Sequence, residues 1–253
     1  MYAEERQQEI LRRARSEGRV DVVRLAEDLA VTSETIRRDL TVLERAGVLR
    51  RVHGGAIPVE RLGFEPELAA RDAVLTAEKE RIAKAALGEV PDGGAIIIDA
   101  GSTTRRLVEV LPSDRELTVI VNAPPLATAL AMRPNLTVHL LGGRVRGRTL
   151  ATVDDWALQP LAQMYVATAF MATNGISVRC GLSTPDPAEA SVKRAMIAAA
   201  RRTVLLADHT KVGNDCLAQF AGLADVDLLI TDTGLDDAST EEFEQAGMRV
   251  VRT

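Results

Sequence analysis

Cysteine is scarce in this 253-residue chain: Cys180 and Cys216 are the only two. They lie far apart, with no Cys-x-x-Cys pair and no histidine at ligand spacing, so neither a disulfide framework nor a zinc site is expected. A reducing, cytoplasmic compartment fits that usage, and no metal or cofactor is called for. Long hydrophobic runs are missing as well. The most apolar stretches, such as AIIID and LTVIV, fall far short of the roughly 20 residues a membrane span requires. The start, MYAEERQQEI, has no signal-peptide core. A soluble protein with no membrane partner is therefore expected. Repeats and low-complexity segments are also absent. Lysine is missing from the first 60 residues, where 11 arginines balance 11 acidic residues; the other 193 hold 20 basic and 25 acidic residues and account for the net charge of −5.

What is present divides the chain. Between residues 35 and 53 five arginines, Arg37, Arg38, Arg45, Arg50 and Arg51, meet only Asp39 and Glu44, a local basic patch on an acidic molecule. Ile10, Leu11 and Ala14 give a helical stripe from residue 4 to about 17, which Gly18 stops. Asp21 is placed to cap a second helix and Thr32 a third. On the third, Ile36, Leu40, Leu43 and Ala46 share one side while Arg37, Arg38 and Thr41 take the other, and Gly47 ends it. VLRRVHGGAI then reads as a small hairpin. The outline is a winged helix-turn-helix over residues 1–57. The front of its third helix is the end that enters a major groove, where arginine pairs with guanine and Ser33, Thr35 and Thr41 reach phosphates or bases. A merely solvated arginine face is the alternative, and the preceding turn, the cap and the arginines of the hairpin weigh against it.

Residues 58–75 carry two prolines and no sustained period, which suggests a linker. Beyond it, over 76–253, apolar runs at 95–100, 117–123, 136–143, 166–176, 203–209 and 227–233 alternate with helical stretches. That alternation predicts an α/β, Rossmann-like domain with a mostly parallel sheet covered on both faces. Ligands of such sheets bind beyond the carboxyl ends of the strands. There the sequence places Asp99 followed by GSTT, Asn122, Gly142 and Gly143, TNG at 173–175, Asp208 followed by HTK, and Asp232. DAGSTT opens a helix with free amides suited to phosphate, but it lacks both the G-x-G-x-x-G fingerprint and the P-loop lysine, which disfavours a nucleotide. GGRVRGR puts Arg144, Arg146 and Arg148 on a glycine-rich loop that either closes over an anion or is simply solvated. Glu189 and Lys193, spaced i, i+4, are either a surface pair or part of the site.

RLAEDLAVTSETIRRDLTVLERAGVLRRVHGGA closely resembles the signature of DeoR-family transcriptional regulators, with Thr32 where the family usually has serine. The resemblance implies DNA contacts by Thr32, Ser33, Thr35, Arg37, Arg38, Thr41, Arg50, Arg51 and His53, with Asp39 orienting the arginines or capping locally and His53, Gly54 and Gly55 closing the wing. For His53 a purely structural role stands beside the functional one. The family's effector domain is related to ribose-5-phosphate isomerase, whose Asp-x-Ser-Lys element LADHTK resembles. By that likeness Ser102, Thr103 and Thr104, following Gly101, hold a phosphate. Asp99, Asn122, Asn174 and Glu189 address sugar hydroxyls, and Lys193, Asp208 and Lys211 complete the site. Two positions depart from the family pattern: Ala167, where Asp is common, and Asp154, where Gly is common. Trp156 is expected in the core or at an interface.

The expectation is a transcriptional repressor of a sugar operon, a homo-oligomer of dimer or tetramer size, released from operator DNA by a phosphorylated sugar. Similarity to phosphotransferase-system operon regulators makes fructose 1-phosphate a candidate. The rival is a sugar-phosphate isomerase with an appended DNA-binding domain, using Glu189 or Asp186 as base. A DNA-bound structural protein is a third option, and it leaves the polar strand ends unexplained.

Overall fold

The computed structural model describes residues 3–45, 48–58, 65 and 67–253. Ala46 and Gly47 of the third helix lie outside the described residues, as do 59–64 and 66 of the expected linker. The chain divides into two compact units, Met1–Phe64 with Val212–Asn214, and Glu65–Lys211 with Asp215–Thr253.

In the first unit α1 (Ala3–Glu17) is followed by β1 (Val20–Asp21), α2 (Val22–Asp28), α3 (Ser33–Arg45) and a hairpin of β2 (Leu49–Val52) and β3 (Gly55–Pro58). Local chemistry sets each boundary. Gly18 takes φ +82° after α1, its N–H donating to the Ala14 carbonyl at 2.8 Å. The Asp21 carboxylate accepts from the amides of Val23 and Arg24 at the front of α2. Thr32 Oγ1 accepts from the Thr35 amide at 3.2 Å at the front of α3. Ile10, Ala14, Leu25, Ile36, Leu40 and Leu49 form one closed core, each fully buried large side chain contributing ~1.5–3 kcal/mol. The wing needs glycine twice: Gly54 takes φ +71°, and a Cβ on Gly55 would stand 1.9 Å from the Val20 carbonyl oxygen, because β3 pairs antiparallel with β1 there.

The second unit is built on a seven-stranded parallel sheet. Its strands are β4 (Gly93–Ile98), β5 (Glu116–Val121), β6 (Leu136–Leu140), β9 (Val166–Met171), β12 (Ala200–Leu206), β14 (Leu228–Thr231) and β15 (Val250–Arg252), in the order β15-β14-β12-β9-β4-β5-β6. The six runs read from the sequence supply six of the strands, and β15 is the seventh. Ile96 and Ile98 pack with Leu107, Val121, Phe170 and Ile230 in one cluster. Ile97, Ala169, Met171, Leu205 and Leu229, which alternate with them, are equally buried, so both faces are covered. The joining helices include α5 (Thr76–Ala86), α6 (Ser102–Val110), α7 (Pro124–Ala131) and α9 (Pro187–Ala198), while α10 (Asp237–Gln245) precedes β15.

The run 166–176 is not one strand. It breaks after Met171, and Gly175–Ser177 becomes β10 of a separate antiparallel sheet with β11 (Gly181–Thr184) and β13 (Ala218–Ala221). A second small pair, β7 (Arg144–Val145) with β8 (Thr152–Val153), precedes α8 (Asp155–Leu161). Connections run outward in both directions from adjacent β4 and β9, so the strand order reverses between the loops that follow them, the position at which ligands of such sheets generally bind.

Candidate DNA-reading helix and effector site

The amphipathic pattern of α3 turns Ile36, Leu40 and Leu43 inward and leaves Arg37 and Arg38 exposed near its front. Arg37 lies 3.8 Å from Glu34, a solvent-screened pair worth little. Thr32 is exposed and Ser33, Thr35 and Thr41 are half-buried; Thr41 Oγ1 donates to the Arg37 carbonyl at 2.9 Å and accepts from Arg51 Nη1 at 3.4 Å. The Arg51 amide donates to Glu44 Oε1 at 2.9 Å. Wing and helix thus present Arg37, Arg38 and Arg51 together. Arg50 and His53 are half-buried on the hairpin, the His53 carbonyl accepting from Arg19 at 2.8 Å.

Asp39 does something other than orient those arginines. It is buried and accepts from Arg6 Nε at 2.5 Å and Gln7 Nε2 at 3.0 Å, both on α1. A carboxylate taken out of water needs such partners, and the pair fixes α3 against α1.

In the second unit, Asp99 ends β4 with no exposure. Its Oδ2 contacts Lys193 Nζ and accepts from the Ala172 amide at 3.0 Å, while Oδ1 accepts from Asn122 Nδ2 at 3.2 Å. Asn122 Oδ1 in turn accepts from the Ala100 amide at 2.7 Å. Burial pushes the Asp99 carboxyl above the ordinary range, with Lys193 opposing. Lys193 also donates to the Ala172 carbonyl at 3.0 Å and stands 3.8 Å from Glu189. Glu189 and Lys193 are each about 98 % buried or more, so they are no surface pair.

Next to them lie residues outside the expected sugar-binding set, Arg146 of the glycine-rich loop among them. Arg146 contacts Glu189 Oε2 and lies 3.0 Å from Glu65 and 3.1 Å from Asp186. Thr149 Oγ1 donates to Glu189 Oε2 at 3.1 Å. Asn174 Nδ2 donates to Glu65 Oε1 at 3.0 Å, and its Oδ1 accepts from Thr184 Oγ1 at 3.1 Å. The structure therefore brings together Asp99, Asn122, Asn174, Glu189 and Lys193 and adds Glu65, Arg146, Thr149, Thr184 and Asp186.

Gly101, Ser102, Thr103 and Thr104 form the loop and first turn of α6 beside this cluster, all of them buried. A Cβ on Gly101 would stand 2.8 Å from the Ala172 Cβ, so only glycine permits the approach of the two loops. Thr104 Oγ1 is already engaged, donating to the Gly101 carbonyl at 3.1 Å. Ser102 and Thr103, with the free amides of the helix start, remain the better donors for an anion.

Other expected residues stand apart. Asp208 accepts from the Thr210 amide at 3.1 Å and from its hydroxyl, and Lys211 lies 3.8 Å away. Burial alone would raise the Asp208 carboxyl, but Lys211, Thr210 and Lys79 hold it below the ordinary range. No hydrogen bond among the described residues joins this group to Asp99. Gly142 is exposed and Gly143 takes φ +119°; they turn the chain into β7, which carries Arg146 to Glu189, and line nothing in the cluster. Arg144 pairs with Asp154 at 2.9 Å and Arg148 donates to the Glu65 carbonyl at 2.8 Å, so neither is poised over an anion. Trp156 is 77% exposed and is not core. Ala167 sits near the start of β9, at the far end from the loops of the site.

Part of the expected linker is held on this unit as a strap. Besides Glu65, the Leu68 amide donates to the Arg148 carbonyl at 2.9 Å, a short helix α4 (Leu68–Asp72) sets Asp72 against Arg105 and Arg106, and Lys79 Nζ caps the carbonyls of Arg71 and Val74.

Residues 6–61 match the DeoR-like helix-turn-helix domain and residues 75–233 match the DeoR C terminal sensor domain. The chain belongs to the DeoR family. Similar DeoR-type regulators include the HTH-type transcriptional regulator GlpR of Haloferax volcanii, 39% identical over 93% of this chain and 92% of that one. YulB of Bacillus subtilis strain 168, an HTH-type transcriptional regulator, is 36% identical over 99% and 96%. These relatives are regulators and not enzymes, which sets the isomerase alternative aside. Among solved structures, ribose 5 phosphate isomerase A from Neisseria gonorrhoeae aligns at 18% identity and a TM-score of 0.38, covering 56% of this chain and 54% of that one, too remote to bear on function. No helix among the described residues of this DeoR-family chain is long and apolar enough to cross a membrane.

Proposed function

We propose that the protein is a cytoplasmic repressor of a sugar-utilisation operon, whose grip on operator DNA weakens when a phosphorylated sugar binds the second unit. The observation that carries this reading is the buried polar cluster of Asp99, Asn122, Glu189 and Lys193, with half-buried Asn174 at its edge, at the point where the strand order reverses, beside the amides and hydroxyls that open α6. Burying so many polar groups costs several kcal/mol unless they are paired. Carboxylates and amides suit sugar hydroxyls. Ser102, Thr103 and the start of α6 suit the phosphate. The Lys211 and Asp208 pair and Gly142 and Gly143 stand outside this arrangement.

On the DNA side, Thr32, Ser33, Thr35, Arg37, Arg38 and Thr41 of the helix and Arg50, Arg51 and His53 of the wing form the contact surface. Two such heads reading half-sites require a homo-oligomer of even number, a dimer or a tetramer. Coupling of ~1–3 kcal/mol between effector and DNA gives roughly 5- to 150-fold release. Fructose 1-phosphate is the first candidate, following from the resemblance to regulators of phosphotransferase-system operons.

The test is a thermal-shift screen of the full chain against fructose 1-phosphate, fructose 6-phosphate, glucose 6-phosphate and ribose 5-phosphate, followed by a gel shift on DNA selected by the protein in vitro. A ligand at 100 times its Kd stabilises the fold by ~2.7 kcal/mol, and the same compound should release the DNA. A melting temperature unmoved by every sugar phosphate would refute the effector assignment.

A further inference from the structure

Glu65 comes from the segment that leads to the reading head, yet its side chain is 1% exposed within the sensor unit. It takes donors from two residues of the candidate site at once, Asn174 Nδ2 and Arg146 Nη1, each at 3.0 Å. The Asn174 amide is oriented by Thr184, which donates to its Oδ1, so its N–H group is aimed at whatever acceptor stands where Glu65 now stands. Arg146 has two further carboxylates, Asp186 and Glu189, and keeps both if Glu65 departs. Three carboxylates around one guanidinium repel one another. Replacing one by a neutral sugar oxygen relieves that repulsion while leaving every donor satisfied. Glu65 is the member of the trio that can leave. Asp186 and Glu189 belong to the cap and first turn of α9, whereas Glu65 hangs on a strap held elsewhere by the Leu68 amide, the Asp72 ion pairs and Lys79.

We propose that Glu65 is a built-in competitor of the effector: its carboxylate occupies the sugar-oxygen positions at Asn174 and Arg146, and a sugar phosphate that claims those donors drives the strap 65–75 off the sensor. This rests on the functional reading above and deepens it by naming how occupancy of the site is passed to the chain that leads to the reading head. Arg146 is then a sugar-binding residue held by Glu65 and shared between two acceptors. Phosphate at the start of α6 anchors the ligand while its hydroxyls compete, so a free sugar, lacking that anchor, leaves the strap in place.

The experiment is hydrogen exchange on the full-length protein over peptides spanning 65–74, read with and without each of the four sugar phosphates named above and with free fructose. Thermal shifts are recorded in parallel for the natural protein, Glu65→Ala and Arg146→Gln. Both substitutions should speed exchange of the strap about tenfold with no ligand added. Glu65→Ala should bind a sugar phosphate about fivefold tighter or more, because the competing state is removed. Any sugar phosphate that raises the melting temperature should also speed strap exchange in the natural protein, and free fructose should not. Strap exchange unchanged in both variants overturns the latch outright. A sugar phosphate that binds while the strap stays protected, or binds Glu65→Ala no tighter, overturns the competition and leaves the effector assignment standing. No thermal shift with any sugar phosphate, in any of the three proteins, overturns both.

Discussion

Lys193 Nζ rests on Asp99 Oδ2 with neither side chain exposed by more than 1%. Removing one member of a sealed pair leaves the other charged in a low-dielectric setting, which costs ~3–5 kcal/mol. Lys193→Met should therefore lower unfolding free energy by that amount in urea titration. Lys193→Met combined with Asp99→Asn should recover part of the loss. A double variant as unstable as the two single losses added would show that the pair is uncoupled.

Arg37→Ala and Arg38→Ala should each weaken binding to selected DNA by ~1–3 kcal/mol and relax base preference, measured by fluorescence anisotropy. Both side chains are exposed, so the melting temperature should stay within a degree or so of the natural protein. Unchanged affinity would remove the helix from the groove.

Asp39→Ala should act oppositely. It breaks a carboxylate pair with Arg6 and Gln7 in which both charged side chains are about nine-tenths buried, and should destabilise the first unit by ~3 kcal/mol. Loss of DNA binding in this variant should track unfolding and disappear on cooling or with a stabilising osmolyte. Weak DNA binding by a demonstrably folded Asp39→Ala head would contradict the purely structural role.

Asp154 adopts φ +75° and ψ −172°, a conformation that glycine takes without strain, and its ion pair with Arg144 is solvent-exposed. Asp154→Gly should stabilise the protein by about 1 kcal/mol despite losing that pair. A shift in urea midpoint toward lower stability would show the exposed pair to outweigh the backbone.

Burial pushes the Cys216 thiol up to about 11. At pH 8 only about one thiol in a thousand is then ionised, so alkylation by iodoacetamide should be roughly a hundredfold slower than for an unhindered cysteine. Because the folded value lies above the ordinary 9.0, the stabilisation from the neutral buried thiol is complete below pH 9 and is lost as pH rises toward 11. Mass spectrometry of the Cys216 peptide across that range, with and without urea, checks both statements.

Much of this architecture is legible in the amino acids because it is locally encoded. Strands sealed on both faces must be nearly continuous in Ile, Val and Leu, as AIIID and LTVIV are, and the caps Asp21 and Thr32 act on amides two or three residues away. Asp99, Asn122 and Asn174 of the candidate site announce themselves by following the ends of those strands. What escapes is held at long range. Asp39 neighbours two arginines in sequence, yet its partners are 33 and 32 residues back on α1. Glu65 meets Arg146 and Asn174 across 81 and 109 residues, and an aperiodic, proline-bearing segment gives no hint of it. The short strands β10, β11 and β13 are likewise fixed by each other and by no pattern of their own.

The buried position of Glu65 has a bearing on how such regulators are recombined. A hybrid that splices a foreign reading head at residue 76, where the β-α alternation begins, would discard a carboxylate belonging to the sensor's interior and leave the Asn174 amide without its acceptor. A splice placed upstream of Glu65 carries that carboxylate along with the donors it serves, so the tether is best cut as part of the module that listens.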